Sequence, residues 1–184
     1  MRVISGIARG HHLKAPSGLS TRPTTDLVRG AIFSILDSLT QNWNVVLDLY
    51  AGTGALGIEA LSRGAEHADF IEQNPRCCTI IRENLKMTGL SDKAQVYCST
   101  ANKFLTAPHE SYNIILMDPP YADPEINNIL HKITLWTGTG SNTTIMVQYS
   151  RRSPLAPAYN KFKEIKKRRY GDTCVSFYQT GDES

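Results

Sequence analysis

The sequence predicts an α/β protein: a mostly parallel, seven-stranded sheet with helices on both faces, an antiparallel hairpin at the C-terminal end and a small N-terminal β-hairpin appendage. Three observations predict it. Between residues 45 and 149, short apolar runs alternate with stretches of helical periodicity, the pattern of a parallel sheet with crossover helices. Several of those runs are continuously apolar, as expected of strands covered on both faces. Near the end, Gly171-Asp172 separates two β-prone runs, the signal of a tight hairpin.

The elements follow in order. Arg2–Ile4 and His12–Lys14 can pair around Gly6 to Gly10. A loop rich in Ser, Gly, Thr and Pro leads to Thr25-Asp26, an N-cap and a first-turn acid for a helix whose apolar stripe is Val28, Ala31, Ile32, Ile35, Leu36 and Leu39. Val45–Tyr50 is the first core strand, followed by a glycine-rich turn and a helix through Glu59-Ala60-Leu61. Ala68–Glu72 is the second strand. Asn74-Pro75 starts a helix and Gly89 ends it. Gln95–Cys98 is the third strand, with a short helix through Phe104-Leu105 behind it. Asn113–Asp118 is the fourth, Ile126 to Ile133 the next helix, and Thr143–Tyr149 the fifth strand. Phe162–Tyr170 and Thr173–Gln179 flank the terminal turn.

At 184 residues the chain suits one domain, with 1–25 as hairpin-and-loop appendage and 26–184 as core. No apolar stretch follows Arg2, so the start does not read as a signal peptide. The apolar runs are too short to span a bilayer. A cytoplasmic protein with no membrane partner is expected, and a monomer. Cys77, Cys78, Cys98 and Cys174 form no C-x-x-C pair, so no metal site is expected, and the thiols read as free, buried small hydrophobes.

Charge is unevenly distributed. Residues 1–30 carry five Arg or Lys against Asp26 alone, and residues 151–170 carry eight against Glu164 alone. The stretch between them, 31–150, has seven basic and twelve acidic residues. Basic ends that meet in space make a face suited to phosphate backbones. The candidate contacts are Arg2, Arg9, Lys14, Arg22, Arg29, Arg151, Arg152, Lys166, Lys167 and Arg168.

Two motifs carry chemistry, and both sit at carboxyl ends of strands, where open α/β sheets bind ligands. The first is Asp48-Leu49-Tyr50-Ala51-Gly52-Thr53-Gly54-Ala55-Leu56-Gly57. Its glycines allow a sharp turn and close approach of backbone to ligand. Glu72, twenty residues after Gly52, is placed to grip ribose hydroxyls. A nicotinamide dinucleotide competes for this reading, because Gly52, Gly54 and Gly57 match G-x-G-x-x-G. Asp48 argues against it: a carboxylate there suits a cationic amino group and sits poorly beside a pyrophosphate. D-x-Y-x-G-x-G is the pattern that class I S-adenosylmethionine methyltransferases carry at this point.

The second motif is Asp118-Pro119-Pro120-Tyr121. An exocyclic base amine is a poor nucleophile because its lone pair is delocalised. Two acceptors, the Asp118 carboxylate and the Pro119 carbonyl, can bind its N–H groups and favour a tetrahedral nitrogen. Pro119 and Pro120 stiffen the turn. Tyr121 offers a face for stacking the base. Methylation of a pyrimidine carbon needs a cysteine nucleophile near this loop, and the nearest in sequence, Cys98, is twenty residues away.

With both motifs, the chain resembles the bacterial 16S ribosomal RNA guanine-N2 methyltransferases, over nearly all its length. Arg2-Val3-Ile4-Ser5-Gly6 with Arg9-Gly10 is similar to that family's N-terminal hairpin. Arg22-Pro23-Thr24-Thr25-Asp26 with Val28-Arg29 resembles its R-P-T-T-D-x-V-R signature. Gly54-Ala55-Leu56-Gly57 and Glu59 to Ala65 match its donor loop. The resemblance implies a Rossmann-like class I fold and S-adenosylmethionine as donor. It implies one guanine of small-subunit ribosomal RNA as target, usually in the assembled particle. It also implies donor contacts from Asp48, Tyr50, Gly52, Thr53, Gly54 and Gly57, from Glu72 to the ribose, and from Thr100-Ala101 to the adenine. By the same resemblance the Arg22–Thr25 stretch is expected beside the mouth of the site, with Thr25 among the donor contacts. Gly30, Thr100 and Gln148 stand where the family usually has Glu, Asn or Asp, and Glu.

Two alternatives stay open. An adenine-N6 DNA or RNA methyltransferase shares the same amine chemistry. A non-enzymatic RNA-binding assembly factor could keep the donor pocket without turnover.

Overall fold

A computed structural model describes residues 1–16, 25–121 and 123–180. Arg22, and the RNA contact expected of it, lies outside them. The described helices are α1 (Asp26–Leu39), α2 (Ala55–Ser62), α3 (Pro75–Thr88), α4 (Ala101–Phe104) and α5 (Ile126–Leu135). The strands are β1 (Val45–Asp48), β2 (His67–Glu72), β3 (Ala94–Cys98), β4 (Tyr112–Met117), β5 (Thr139–Ser150), β6 (Ala158–Tyr159), β7 (Phe162–Tyr170) and β8 (Thr173–Thr180). They form one sheet in the order β3-β2-β1-β4-β5-β8-β7-β6. β1 to β5 run parallel, and β8 joins β5 antiparallel. The expected seven strands are thus eight. The extra one, β6, is two residues long and sits just after Pro157, too short to leave a periodic pattern.

Local chemistry fixes the helix ends that matter. The Thr25 hydroxyl accepts from the Val28 amide at 3.3 Å and starts α1. The Asn74 side chain accepts from the Arg76 amide at 2.9 Å, Pro75 opens α3, and Gly89 closes it. Two apolar layers sandwich the sheet. On one face, Ile32, Phe33 and Leu36 of α1, Ile58 and Leu61 of α2 and Ile81 of α3 pack on Val46, Phe70, Leu116, Met146 and Phe177. On the other, Phe104, Ile129 and Ile133 pack on Leu47, Ile115, Val147 and Tyr178. Each such buried side chain contributes roughly 1.5–3 kcal/mol. Cys77, Cys78 and Cys174 belong to this interior, whereas Cys98 is exposed at the end of edge strand β3. No helix among the described residues is long and apolar enough to cross a membrane.

The N-terminal hairpin is shorter than expected: one antiparallel bridge, Arg2 to His12. Its backbone finds partners on α2 instead. Glu59 accepts from the Ile4 and Ser5 amides at 2.8 and 3.0 Å. The Ser62 hydroxyl accepts from Ala8 at 2.9 Å and donates to the Ser5 carbonyl at 2.6 Å. Glu59 is fully buried, and so is Arg29. The Arg29 Nε lies 3.8 Å from Glu59, its Nη2 donates to Asp26 at 3.1 Å and to the Arg2 carbonyl, and Arg63 meets Glu59 at 2.9 Å. Burial draws the Arg29 guanidinium below its usual pKa, against the opposing pull of Glu59 and Asp26. Arg29 was expected to touch RNA. It is instead the buried counter-charge that holds the N-terminal arm, α1 and α2 together, because one helical turn from the α1 N-terminus faces inward, with Ile32, Phe33 and Leu36.

Candidate active site

The site is built where β1, β2, β3 and β4 end. Register places Asp48 beside Phe70 of β2 and Leu116 of β4, so the loop after β1 and the loop after β4 leave the sheet side by side. Further bonds stitch the strand ends together. The Leu49 amide donates to Leu116, Ala51 to Ile71, and Ser99 to Glu72, all within 2.9–3.0 Å.

The turn from β1 to α2 needs its glycines. Gly52 and Gly54 have φ of 56° and 81°, a left-handed region that side chains with a Cβ rarely enter. Gly57 serves packing: a Cβ there would overlap the Phe70 ring. Thr53 sits between the two left-handed glycines.

Asp48 is buried, and one oxygen accepts from the Gly57 amide at 2.9 Å. Its other oxygen, Oδ1, has no hydrogen-bond partner among the described residues. Burial pushes the carboxyl up to about 7, the Gly57 amide works against this, and the charges of Asp118 and Glu72 add to it. The three carboxylates are therefore close enough at the strand ends for Asp118 and Glu72 to act on Asp48. An orphaned buried oxygen is costly, and a cationic ligand is the natural partner for it.

Glu72 accepts from the Gly52 amide at 2.9 Å and from the Asn74 amide at 2.7 Å, which fixes the carboxylate at the end of β2. Tyr50 is half-buried, and burial first, then Asp123 and Glu125, raise its phenol above the usual range. The Thr100 hydroxyl caps α4 by accepting from Lys103 at 3.2 Å, and Ala101 is buried beneath it.

Asp118 is half-buried, Pro119 buried and Pro120 exposed. The Tyr121 ring is half exposed, and its hydroxyl donates to the Asp172 carbonyl at 3.4 Å. Asp172 lies in the β7–β8 turn, and its carboxylate also binds Arg151 at 2.9 Å. Thus Tyr121, Arg151 and the terminal hairpin turn meet at one rim of the site.

Other expected RNA contacts separate. Lys14 is exposed and pairs with Glu83 at 2.8 Å. Arg2 is exposed and pairs with Asp26 at 3.5 Å, while Arg9 and Arg152 are exposed. On β7, Lys166 and Arg168 pair with Phe177 and Val175, residues of the α1-side layer, but Lys167 pairs with Ser176, next to Val147 of the α5-side layer. The Lys167 ammonium lies over the Tyr149 ring at 5.7 Å. The three cations taken together from the sequence are therefore split between two faces, because strand residues alternate. Sequence reasoning missed Glu59, Arg63 and Asn84. The available signal was a polar residue on an otherwise buried helical stripe. Two surface depressions, of about 370 and 200 Å³, lie near the starts of β4 and β5, at the opposite end of the sheet.

The strand order, the acid before the glycine turn and the D-P-P-Y loop on β4 define a class I methyltransferase fold. The chain belongs to the family described as "Conserved hypothetical protein 95", whose pattern matches residues 1–179. Among curated relatives, "Putative rRNA methyltransferase YlbH" of Bacillus subtilis is 36% identical over 182 residues, covering 97% of this chain and 98% of that protein. "Ribosomal RNA small subunit methyltransferase D" of Escherichia coli is 39% identical over 121 residues, 66% of this chain and 60% of that protein. Among solved structures, "Putative methyltransferase yhhF" from Escherichia coli superposes with a TM-score of 0.87 at 30% identity, covering 100% of this chain and 99% of that one.

Proposed function

We propose that this protein transfers a methyl group from S-adenosylmethionine to the exocyclic N2 amine of a guanine in small-subunit ribosomal RNA, in the cytoplasm. The single observation that carries the chemistry is the pairing of β1 with β4 and β2, which brings the ends carrying Asp48, Asp118 and Glu72 out at the same edge of the sheet. Family membership and the full-length similarity to a protein named an rRNA methyltransferase support the substrate class.

The residues present fit the donor. Asp48 Oδ1 is a buried acceptor without a partner, suited to a cationic amino group. Glu72 is held by two amides at the end of β2, where its carboxylate is proposed to accept from the ribose hydroxyls. Gly52 and Gly54 bring the backbone close, Gly57 donates to the Asp48 carboxylate, and Tyr50, Thr53, Thr100 and Ala101 complete the proposed pocket. When bound, S-adenosylmethionine supplies a methyl carbon made electrophilic by its sulfonium. The chain's own part is to prepare the nucleophile. The Asp118 carboxylate and Pro119 carbonyl accept the two N–H groups of the amine and free its lone pair. Tyr121, tethered to the Asp172 carbonyl, stacks the base and fixes its approach, so most of the acceleration is positioning. Asp118 Oδ then takes the proton that the methylated nitrogen sheds.

The test is methylation of unmodified small subunits, read by mass analysis of nucleosides. N2-methylguanosine is expected, and N6-methyladenosine would establish the adenine-directed alternative. Asp118→Ala is expected to abolish transfer while donor binding, measured by calorimetry, survives. Full activity in that variant would refute the role of Asp118.

A further inference from the structure

Asn84 occupies a position on α3 that the helix otherwise gives to Cys77, Cys78, Ile81 and Leu85, and it is completely buried. An amide in such a place must be matched on both ends, since a polar group stranded away from water is destabilising. It is matched by three bonds. Its Oδ1 accepts from the Lys14 amide at 2.8 Å. Its Nδ2 donates to the Lys14 carbonyl at 3.1 Å and to the Thr53 carbonyl at 2.9 Å. The pair to Lys14 copies what a neighbouring strand residue makes, and it fixes the plane of the amide. Once that plane is fixed, the direction of the bond to Thr53 is fixed too. Thr53 is the residue between the two left-handed glycines of the turn.

We infer that Asn84 is a positioning residue that couples docking of the N-terminal arm to the shape of the glycine turn. The inference rests on the reading of that turn as the donor site. One planar side chain holds the end of the arm with one edge and the donor turn with the other. The arm is anchored separately at its tip, where Ser62 and Glu59 bind residues 4 to 8. Undocking the arm releases the amide to rotate, and the turn loses its restraint. By reciprocity, a ligand that orders the turn strengthens arm docking by the same factor.

The experiment measures binding of S-adenosylhomocysteine by calorimetry to the full chain, to Asn84→Ala, to Gly6→Ala and to the double variant. Gly6→Ala perturbs the arm where it is anchored on the C-terminal end of α2, the end remote from the glycine turn: Gly6 has φ 81°, and a Cβ there would overlap the Ser62 backbone. Affinity is expected to fall about tenfold in Asn84→Ala, the worth of one buried hydrogen bond. It is expected to fall about fivefold in Gly6→Ala, the low end of site-to-site coupling. The double variant is expected to bind no more weakly than Asn84→Ala. Hydrogen exchange supplies a readout that a merely structural role does not move: ligand slows exchange in residues 1–16 of the parent and not in Asn84→Ala. Additive losses in the double variant, or parental affinity in Asn84→Ala, overturn the inference alone. A parent that binds no S-adenosylhomocysteine overturns the donor-site reading and this inference with it. Should Asn84→Ala fail to fold, Gly6→Ala decides: weakened affinity supports the coupling and unchanged affinity refutes it.

Discussion

Arg29→Ala tests the most consequential correction to the sequence reading. The guanidinium is 1% exposed and faces Glu59, which is equally buried. Removing one member of a buried ion pair costs roughly 3–5 kcal/mol, because the survivor is left in low dielectric. Here the low end applies. Glu59 keeps Arg63 at 2.9 Å and the amides of Ile4 and Ser5. A loss of about 3 kcal/mol, at roughly 2–4 °C per kcal/mol for a chain of this size, lowers the melting temperature by roughly 6–12 °C. Arg2→Ala is the control. It breaks an ion pair with Asp26 that is 65% and 45% exposed, worth at most about 1 kcal/mol. Thermal unfolding by circular dichroism reads both. If Arg29→Ala melted within about 2 °C of the parent but lost RNA affinity, the buried-strut account would be wrong and Arg29 would return to the RNA surface.

Two further predictions follow from charge. Asp48 has its carboxyl raised from 3.8 to about 7 in the fold, so the folded state prefers it protonated. The stability cost is absent below about pH 4, grows through the interval up to 7 and is complete above it. Asp48→Asn is therefore expected to gain stability over the parent between pH 5 and pH 8, by up to about 3 kcal/mol at about 1.4 kcal/mol per pH unit, while losing donor binding. Urea unfolding at the two pH values checks it, and an advantage that does not grow with pH refutes it. On β7, Lys166→Glu with Arg168→Glu is expected to weaken RNA binding and lower its salt slope by about 2, because these cations share a face with the N-terminal arm. Lys167→Glu, on the other face, is expected to leave the slope unchanged, and an equal effect from it would show that RNA does not follow the face that carries the N-terminal arm.

The core of the fold was legible because each strand and helix declares itself locally. Continuous apolar runs mark β1 and β4, and Asn74-Pro75 with Gly89 bracket α3 within a residue. The reactive motifs were legible for the same reason: they are contiguous, and strand order puts their ends together. What sequence could not give depends on partners distant in the chain. Arg29 reads as another cation in a basic N-terminus until Glu59, thirty residues on, is seen to face it. Lys166, Lys167 and Arg168 read as one patch. A β-strand sends neighbours to opposite faces, and a bulge between Glu164 and Lys166 resets which face each takes. Asn84 reads as an ordinary helix polar residue, since its partners Lys14 and Thr53 lie seventy and thirty-one positions away.

The basic strand also decides how the molecule treats its own kind. β6 covers β7 only at Phe162 and Lys163, so among the described residues no strand pairs with the outer rim from Ile165 to Tyr170. Its bulge and its row of Lys and Arg make it a poor template for another strand. The cations proposed to meet RNA thus double as guards against sheet-to-sheet growth. Variants that neutralise all of them at once would trade a loss of RNA affinity for a protein prone to self-association.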